Sequence, residues 1–188
     1  MSEIALRIAT VADAPALANL ANQYTFQQVS EVERENGFLT GSFSAVAMQA
    51  MLTSVPSQVA FHNQELVGFI INSKLPAERY PPLVKEICAL LPTFFYHQLP
   101  LTQYRWFFYG PVLVKKEYRG QGLLLKLFEA NKQELRGSFD IGVAFIAEQN
   151  NASLQVHTQR LGLEIVGRVV FQGVPYAILA FSLSEDVR

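Results

Sequence analysis

The stretch Val112-Leu113-Val114-Lys115-Lys116-Glu117-Tyr118-Arg119-Gly120-Gln121-Gly122-Leu123-Leu124 constrains the fold of this chain more than any other part of it. Branched apolar residues end a strand, a short glycine-containing loop follows, and an apolar helical pattern starts directly after the loop. The first amides of a helix have no internal acceptor and point outward along the positive end of the macrodipole. Gly120 and Gly122 add dihedral freedom and remove any side chain that would keep a diphosphate at a distance. Each amide bond to a charged oxygen contributes about 1.5–3 kcal/mol, so several together would dominate the affinity for a phosphate-bearing ligand. Arg119 adds charge. Taken alone, the loop is equally well read as a plain turn into a helix. Other phosphate loops do not fit it: G-x-x-x-x-G-K-[ST] is absent, and so is a full G-x-G-x-x-G with an acidic residue about twenty positions on.

The rest of the pattern supplies a context. Ala5 to Ala9 reads as a strand, and Thr10-Val11-Ala12-Asp13 as a helix start, with Pro15 in the first turn making Asp13 an alternative cap. Leu17, Leu20, Ala21 and Tyr24 continue that helix, and a second covers about Ser44 to Leu52. Between them lies a polar stretch through Glu31, Glu33, Arg34 and Glu35 to an Asn36-Gly37 turn. Gln58 to Phe61 and Leu66 to Asn72 form a hairpin. Val84, Ile87, Cys88 and Leu91 predict a short amphipathic helix inside a proline-punctuated insertion at about 76–102. Arg105 to Val114 is a strand, Leu124 to Leu135 a helix ended by Gly137, and Ile141 to Ala147 a strand. A short helix over about Asn151 to Arg160 and a hairpin about Gln172-Gly173 close the chain. With 188 residues, half of them apolar, this is one domain over 1–188. The order predicts an α/β fold: a mixed, mostly antiparallel sheet with flanking helices and at least one parallel β-α-β step.

A second motif lies downstream, in Asn150-Asn151-Ala152-Ser153-Leu154-Gln155-Val156-His157 and Arg160-Leu161-Gly162-Leu163-Glu164. Together the two motifs resemble the GNAT superfamily of acetyl-CoA-dependent N-acetyltransferases. Its diphosphate-binding motif is R/Q-x-x-G-x-G/A after a strand. Arg119 takes the first place and Gly122 the fourth, while Leu124 stands where Gly or Ala is usual. The asparagine-led helix of the family ends in Leu-Gly-Phe, here Leu161-Gly162-Leu163, and often carries a tyrosine near the acyl sulfur, where this chain has Thr158 beside His157.

The resemblance implies a cofactor site made of Leu113 and Val114, whose backbone would pair with the pantetheine arm, the loop residues Arg119, Gly120, Gln121, Gly122, Leu123 and Leu124, and Asn150 and Asn151. It implies acetyl-CoA as co-substrate, no metal, and acetylation of a primary amine on a small molecule or peptide by direct attack. A non-catalytic acyl-CoA-binding or sensing module is the alternative. His157 is the candidate proton donor, because it shares a helical face with Leu154, Thr158 and Leu161; the competing reading is a buried histidine satisfied by its neighbours. Glu148 and the acidic residues Glu31, Glu33 and Glu35 are weaker candidates for a base.

Fifteen Lys and Arg against 16 Asp and Glu leave no net field to gather nucleic acid or an anionic membrane. The charged fraction of 16% is low, so a homodimer contact is one outlet for leftover apolar surface, and the insertion with Phe94, Phe95 and Tyr96 is expected to wall the acceptor site or to form that contact. Cys88 is the single cysteine, which excludes an intrachain disulfide and leaves it a packing role on its helix. The N-terminal run has no signal-peptide pattern and no stretch long enough to span a membrane, so a cytoplasmic location is expected.

Overall fold

A computed structural model describes residues 3–184. The strands are β1 (Ala5–Ile8), β2 (Gln58–His62), β3 (Glu65–Ser73), β4 (Phe95–Tyr96), β5 (Leu99–Pro100), β6 (Trp106–Val114), β7 (Ile141–Ala147), β8 (Glu164–Phe171) and β9 (Val174–Ser182). The helices are α1 (Ala14–Gln23), α2 (Glu31–Arg34), α3 (Ala45–Ser54), α4 (Pro82–Leu90), α5 (Leu123–Leu135) and α6 (Asn151–Gln155), which runs on as a wider turn over Val156–Arg160. Seven strands form one sheet in the order β1-β2-β3-β6-β7-β9-β8, and β4-β5 make a separate small hairpin. All neighbours in the large sheet are antiparallel except β6 and β7, which α5 connects.

Alternation along the strands sends side chains to two faces. One face carries α5 and α6, where Leu123, Leu127, Phe128 and Leu161 pack on Val67, Ile70, Phe107 and Leu179. On the other face α1 and α3 cover the N-terminal strands through Leu17, Leu20 and Met48 against Val59, Phe69 and Ile71. The remaining half of that face is covered by α4 and its flanking chain, with Leu83, Val84, Ile87 and Leu91 over Phe108, Val143 and Ile178. The insertion is therefore the lid of a third of the core, and Cys88 packs half-buried at its edge.

Two small details set where α5 begins. A Cβ on Gly68 would lie 3.1 Å from the Leu113 carbonyl oxygen and 3.3 Å from a Leu127 methyl, so glycine is what lets α5 approach β3 closely. Below that contact, the buried Asn72 donates to Asn131 Oδ1 at 2.7 Å and to the Pro56 carbonyl at 2.7 Å, which fixes the helix in register over the sheet.

Several expectations are refined. Thr10 and Asp13 do form a reciprocal cap, but on a single 3₁₀ turn that precedes α1. The polar stretch contains a short helix capped by Ser30 and Glu33, and the insertion also carries the β4-β5 hairpin. Gly137 does not end α5 in a left-handed cap: it is absent from the positive-φ glycines, and the last turn closes through Ser138 and Phe139 amides donating to the Leu135 carbonyl. The turn between β2 and β3 shrinks to Asn63-Gln64, both at positive φ, as a two-residue hairpin requires.

Candidate active site

β6 and β7 pair over only three positions, Trp106–Phe108 against Ile141–Val143. Beyond them the strands part. The divergence starts where β6 bulges: Ile70 faces Val112 while Asn72 faces Tyr109, so three steps on β6 match two on β3. The extra residue sits at Gly110-Pro111, with Gly110 at φ +130°, and it switches the side-chain parity. Phe107 and Tyr109 point to the α5 face before the bulge, and Val112 and Val114 do so after it. Glycine and proline inside an otherwise apolar strand are the sequence signal for such a bulge, and sequence reading passed over it.

The open edge of β6 is offered unequally by the two residues expected there. The Lys115 amide donates to Val67 on β3, and the Leu113 carbonyl lies toward Gly68. Strand alternation then turns the backbone groups of Leu113 to β3 and those of Val112 and Val114 to the gap. Val112 is thus the missed member. The Val114 carbonyl accepts from Arg119 Nε at 2.8 Å, which leaves its amide for other use.

After β6 the chain makes a 3₁₀ turn over Lys116–Tyr118 and reaches Gly120 at φ +73° and Gly122 at φ +78°, the cap of α5. The first bond of the helix ladder runs from the Lys126 amide to the Gly122 carbonyl, so the amides of Leu123, Leu124 and Leu125 precede it and point outward. A Cβ on Gly120 or Gly122 would meet no atom within 4 Å. The two glycines are required by their left-handed backbone, and open space lies in front of them. Gln121 is exposed and donates to the Glu117 carbonyl at 3.0 Å. Leu123 is buried, and Leu124 packs half-buried against the same core, so the side chain in the motif's last place turns away from the loop's open side. The loop is pinned from behind by Tyr118, whose hydroxyl is 2.8 Å from His62 Nδ1, and by the Lys115–Glu65 ion pair.

At the apex of the gap, His157 and Tyr109 meet. His157 Nδ1 lies 2.8 Å from the Ser153 carbonyl, which can only accept, so Nδ1 carries the proton. Nε2 is then the acceptor for the Tyr109 hydroxyl at 3.3 Å. Both groups are buried, and Tyr109 packs edge-on against the rings of Phe128, Phe181 and His157. Burial lowers the His157 pKa to about 4 against a backbone hydrogen bond that raises it, and burial alone pushes Tyr109 well above the usual phenol range. The pair is neutral. Thr158 donates to the Leu154 carbonyl at 2.7 Å.

At the end of β7, Asn150 is buried and donates to the Phe38 carbonyl at 2.7 Å, while its Oδ1 has no partner. Asn151 is exposed at the first turn of α6. Arg119 also reaches across, donating to the Asn36 carbonyl at 2.8 Å, with its guanidinium 5.6 Å from the Tyr24 ring centre. Two of the acidic candidates are engaged elsewhere. Glu148 holds Arg168 through two bonds of 2.6 and 3.0 Å, and Glu33 closes the Ser30 cap, which lowers its pKa through the serine hydrogen bonds. Among the described residues no group of three or more His, Cys, Asp or Glu is gathered as metal ligands would be.

Neither a protein-family model nor a curated protein sequence matches the chain. Solved structures do. A Salmonella typhimurium acetyltransferase with its cofactor acetyl-CoA, yncA, is similar at 17% identity and a TM-score of 0.63, covering 100% of this chain and 98% of that one. An acetyltransferase of the GNAT family from Streptococcus pneumoniae aligns at 14% identity and a TM-score of 0.62, over 96% of this chain and 99% of that one. The ribosomal-protein-S18-alanine N-acetyltransferase of Escherichia coli aligns at 12% identity and a TM-score of 0.63, over 98% and 96% respectively. The chain has the fold of the GNAT acetyltransferases. No helix among the described residues is long and apolar enough to cross a membrane.

Proposed function

We propose that this protein is an acetyl-CoA-dependent N-acetyltransferase acting on a primary amine of a small molecule or peptide. The observation that carries the reading is the junction at Gly120–Leu125: outward amides at a helix start, with open space before them, at the mouth of a gap between two strands. The residues present fit the cofactor. The amides of Gly120 to Leu124 would hold the diphosphate, the backbone of Val112 and the Val114 amide would pair with an extended arm, and Asn150 and Asn151 would bound the other lip.

Bound, the co-substrate supplies an acetyl group on a thioester, which an amine attacks directly. The chain's part is to hold the carbonyl at the apex and to exclude water. His157 in this reading is a positioning residue. Its Nε2 has no proton to give, and it holds the Tyr109 hydroxyl in place at the point where β6 and β7 separate. A thiol with an ordinary pKa of about 8.5 leaves as thiolate without a strong fixed acid. With Glu148 paired to Arg168 and Glu33 closing the Ser30 cap, an acceptor amine that arrives deprotonated needs no base from either.

Calorimetry with acetyl-CoA, followed by thiol release over an amine panel, tests the proposal. Binding with turnover on at least one amine supports it. Binding with no turnover on any amine favours a sensing module, which the neutral Tyr109–His157 pair would suit. No binding removes both.

A candidate surface for the homodimer expected from the low charge is the β8 edge beside the insertion, where Phe95, Leu99, Ile165 and Val170 are exposed.

A further inference from the structure

The loop before α5 has little of its own to keep its shape. Gly120 and Gly122 stand at positive φ with open space in front of them, and the exposed Gln121 side chain bonds back to the Glu117 carbonyl within the same turn. Glycine loses more conformational freedom on ordering than any other residue, so a loop with two of them weakens binding unless another part of the fold holds it beforehand.

That hold comes from the end of the β2–β3 hairpin. β3 carries one extra residue at Val67, since Ala60 faces Gly68 while Phe61 faces Leu66. Ala60 and Val67 pack on the α5 side, and Phe61 and Leu66 on the other. Alternation then returns His62 and Glu65 to the α5 side, where the loop begins. Three ties result. The Val67 carbonyl accepts from the Lys115 amide at 2.9 Å, Glu65 pairs with the Lys115 ammonium, and the Tyr118 hydroxyl lies 2.8 Å from His62 Nδ1 with the two rings edge-on at 5.6 Å between centres. The Glu65 side chain is 56% exposed, so its ion pair contributes little. Tyr118 is half-buried against the α5 core, and its bond to His62 is the tie shielded from water. The tight Asn63-Gln64 turn leaves this end of the hairpin little freedom of its own.

We propose that His62, through its contact with Tyr118, is a positioning residue that holds the loop in its binding shape before acetyl-CoA arrives. This rests on the reading that the loop takes the diphosphate. His62 touches no reacting atom in this role. Its contribution is to the affinity for the co-substrate, made from the back of the loop while the open side stays clear for the ligand.

Calorimetry with acetyl-CoA on wild type, Tyr118→Phe, His62→Ala and the double variant tests the clamp. Phenylalanine keeps the ring packing and removes only the hydroxyl. Each single variant should bind acetyl-CoA roughly fivefold to tenfold more weakly, as expected for one hydrogen bond, and the double variant no more weakly than the worse single one, because both remove the same contact. His62→Asn, which places a polar atom as far along the side chain as Nδ1, should recover most of the loss. Hydrogen exchange gives a readout without ligand: the Lys126 amide, which donates to the Gly122 carbonyl, should exchange faster in Tyr118→Phe than in wild type, with β7 amides unchanged. Wild-type affinity in Tyr118→Phe, or losses that multiply in the double variant, would overturn the clamp and leave the acetyltransferase reading intact. Failure of wild type itself to bind acetyl-CoA would remove both.

Discussion

His157 should make this protein sensitive to mild acid, and the effect can be sized. In the folded chain its pKa is about 4, against 6.5 for an exposed histidine, because protonation would place a charge in a buried site beside Tyr109 with its Nδ1 proton already committed to Ser153. The folded value is the lower one, so the unfolded chain takes up the proton first. Stability contributed by neutral His157 is complete above pH 6.5 and is lost as pH falls toward 4. The full span corresponds to on the order of 3 kcal/mol, of which about 2 kcal/mol is gone by pH 5. Urea unfolding at pH 7.5, 6 and 5, on wild type and on His157→Gln, isolates this part. Glutamine is neutral throughout, so the variant should start less stable and lose about 2 kcal/mol less between pH 7.5 and 5. The paired carboxylates Asp13, Glu65 and Asp140 have lowered pKa values from their Arg and Lys partners and lose their contribution at lower pH in both proteins alike. Parallel pH curves would show that His157 titrates normally in the folded state, and the neutral pair at the apex would be wrong.

Other perturbations follow from close contacts. Gly122→Val combines a branched side chain with φ +78° and fills the space before the amides, so acetyl-CoA affinity should fall by roughly a hundredfold or more, read by calorimetry; near wild-type affinity would refute the loop assignment. Gly142→Ala would put a methyl 2.3 Å from the Phe181 ring in the core, and urea unfolding should show a loss of about 2–3 kcal/mol. Gly167→Ala would collide at 2.2 Å with Phe94 of the insertion, so limited proteolysis should cut the insertion faster in the variant than in wild type.

Much of the fold was legible because it rests on local rules. The hairpin of β8 and β9, the exact span of β7, the Ser44 start of α3 and the strand–loop–helix junction all follow from periodicity and turn residues over a few positions. The site was legible only as a segment. Arg119 and Asn150 could be named from their motifs, but the carbonyls they hold, Asn36 and Phe38, are 83 and 112 residues away in the chain, and no local pattern links such distances. His157 could be named as a candidate donor from its helical face, while the Tyr109 hydroxyl 3.3 Å from it could not be named, since a tyrosine in an aromatic-rich strand reads as packing.

The sequence by itself determined where a helix must begin with free amides, because glycine spacing and apolar period act over a handful of neighbouring residues. Tertiary structure alone decided that the histidine is neutral, that Val112 and not Leu113 faces the gap, and that Arg119 and Asn150 both hold carbonyls of a loop from early in the chain. Those are matters of burial, of pleat parity after a bulge and of long-range hydrogen bonds, which exist only once distant segments are brought together.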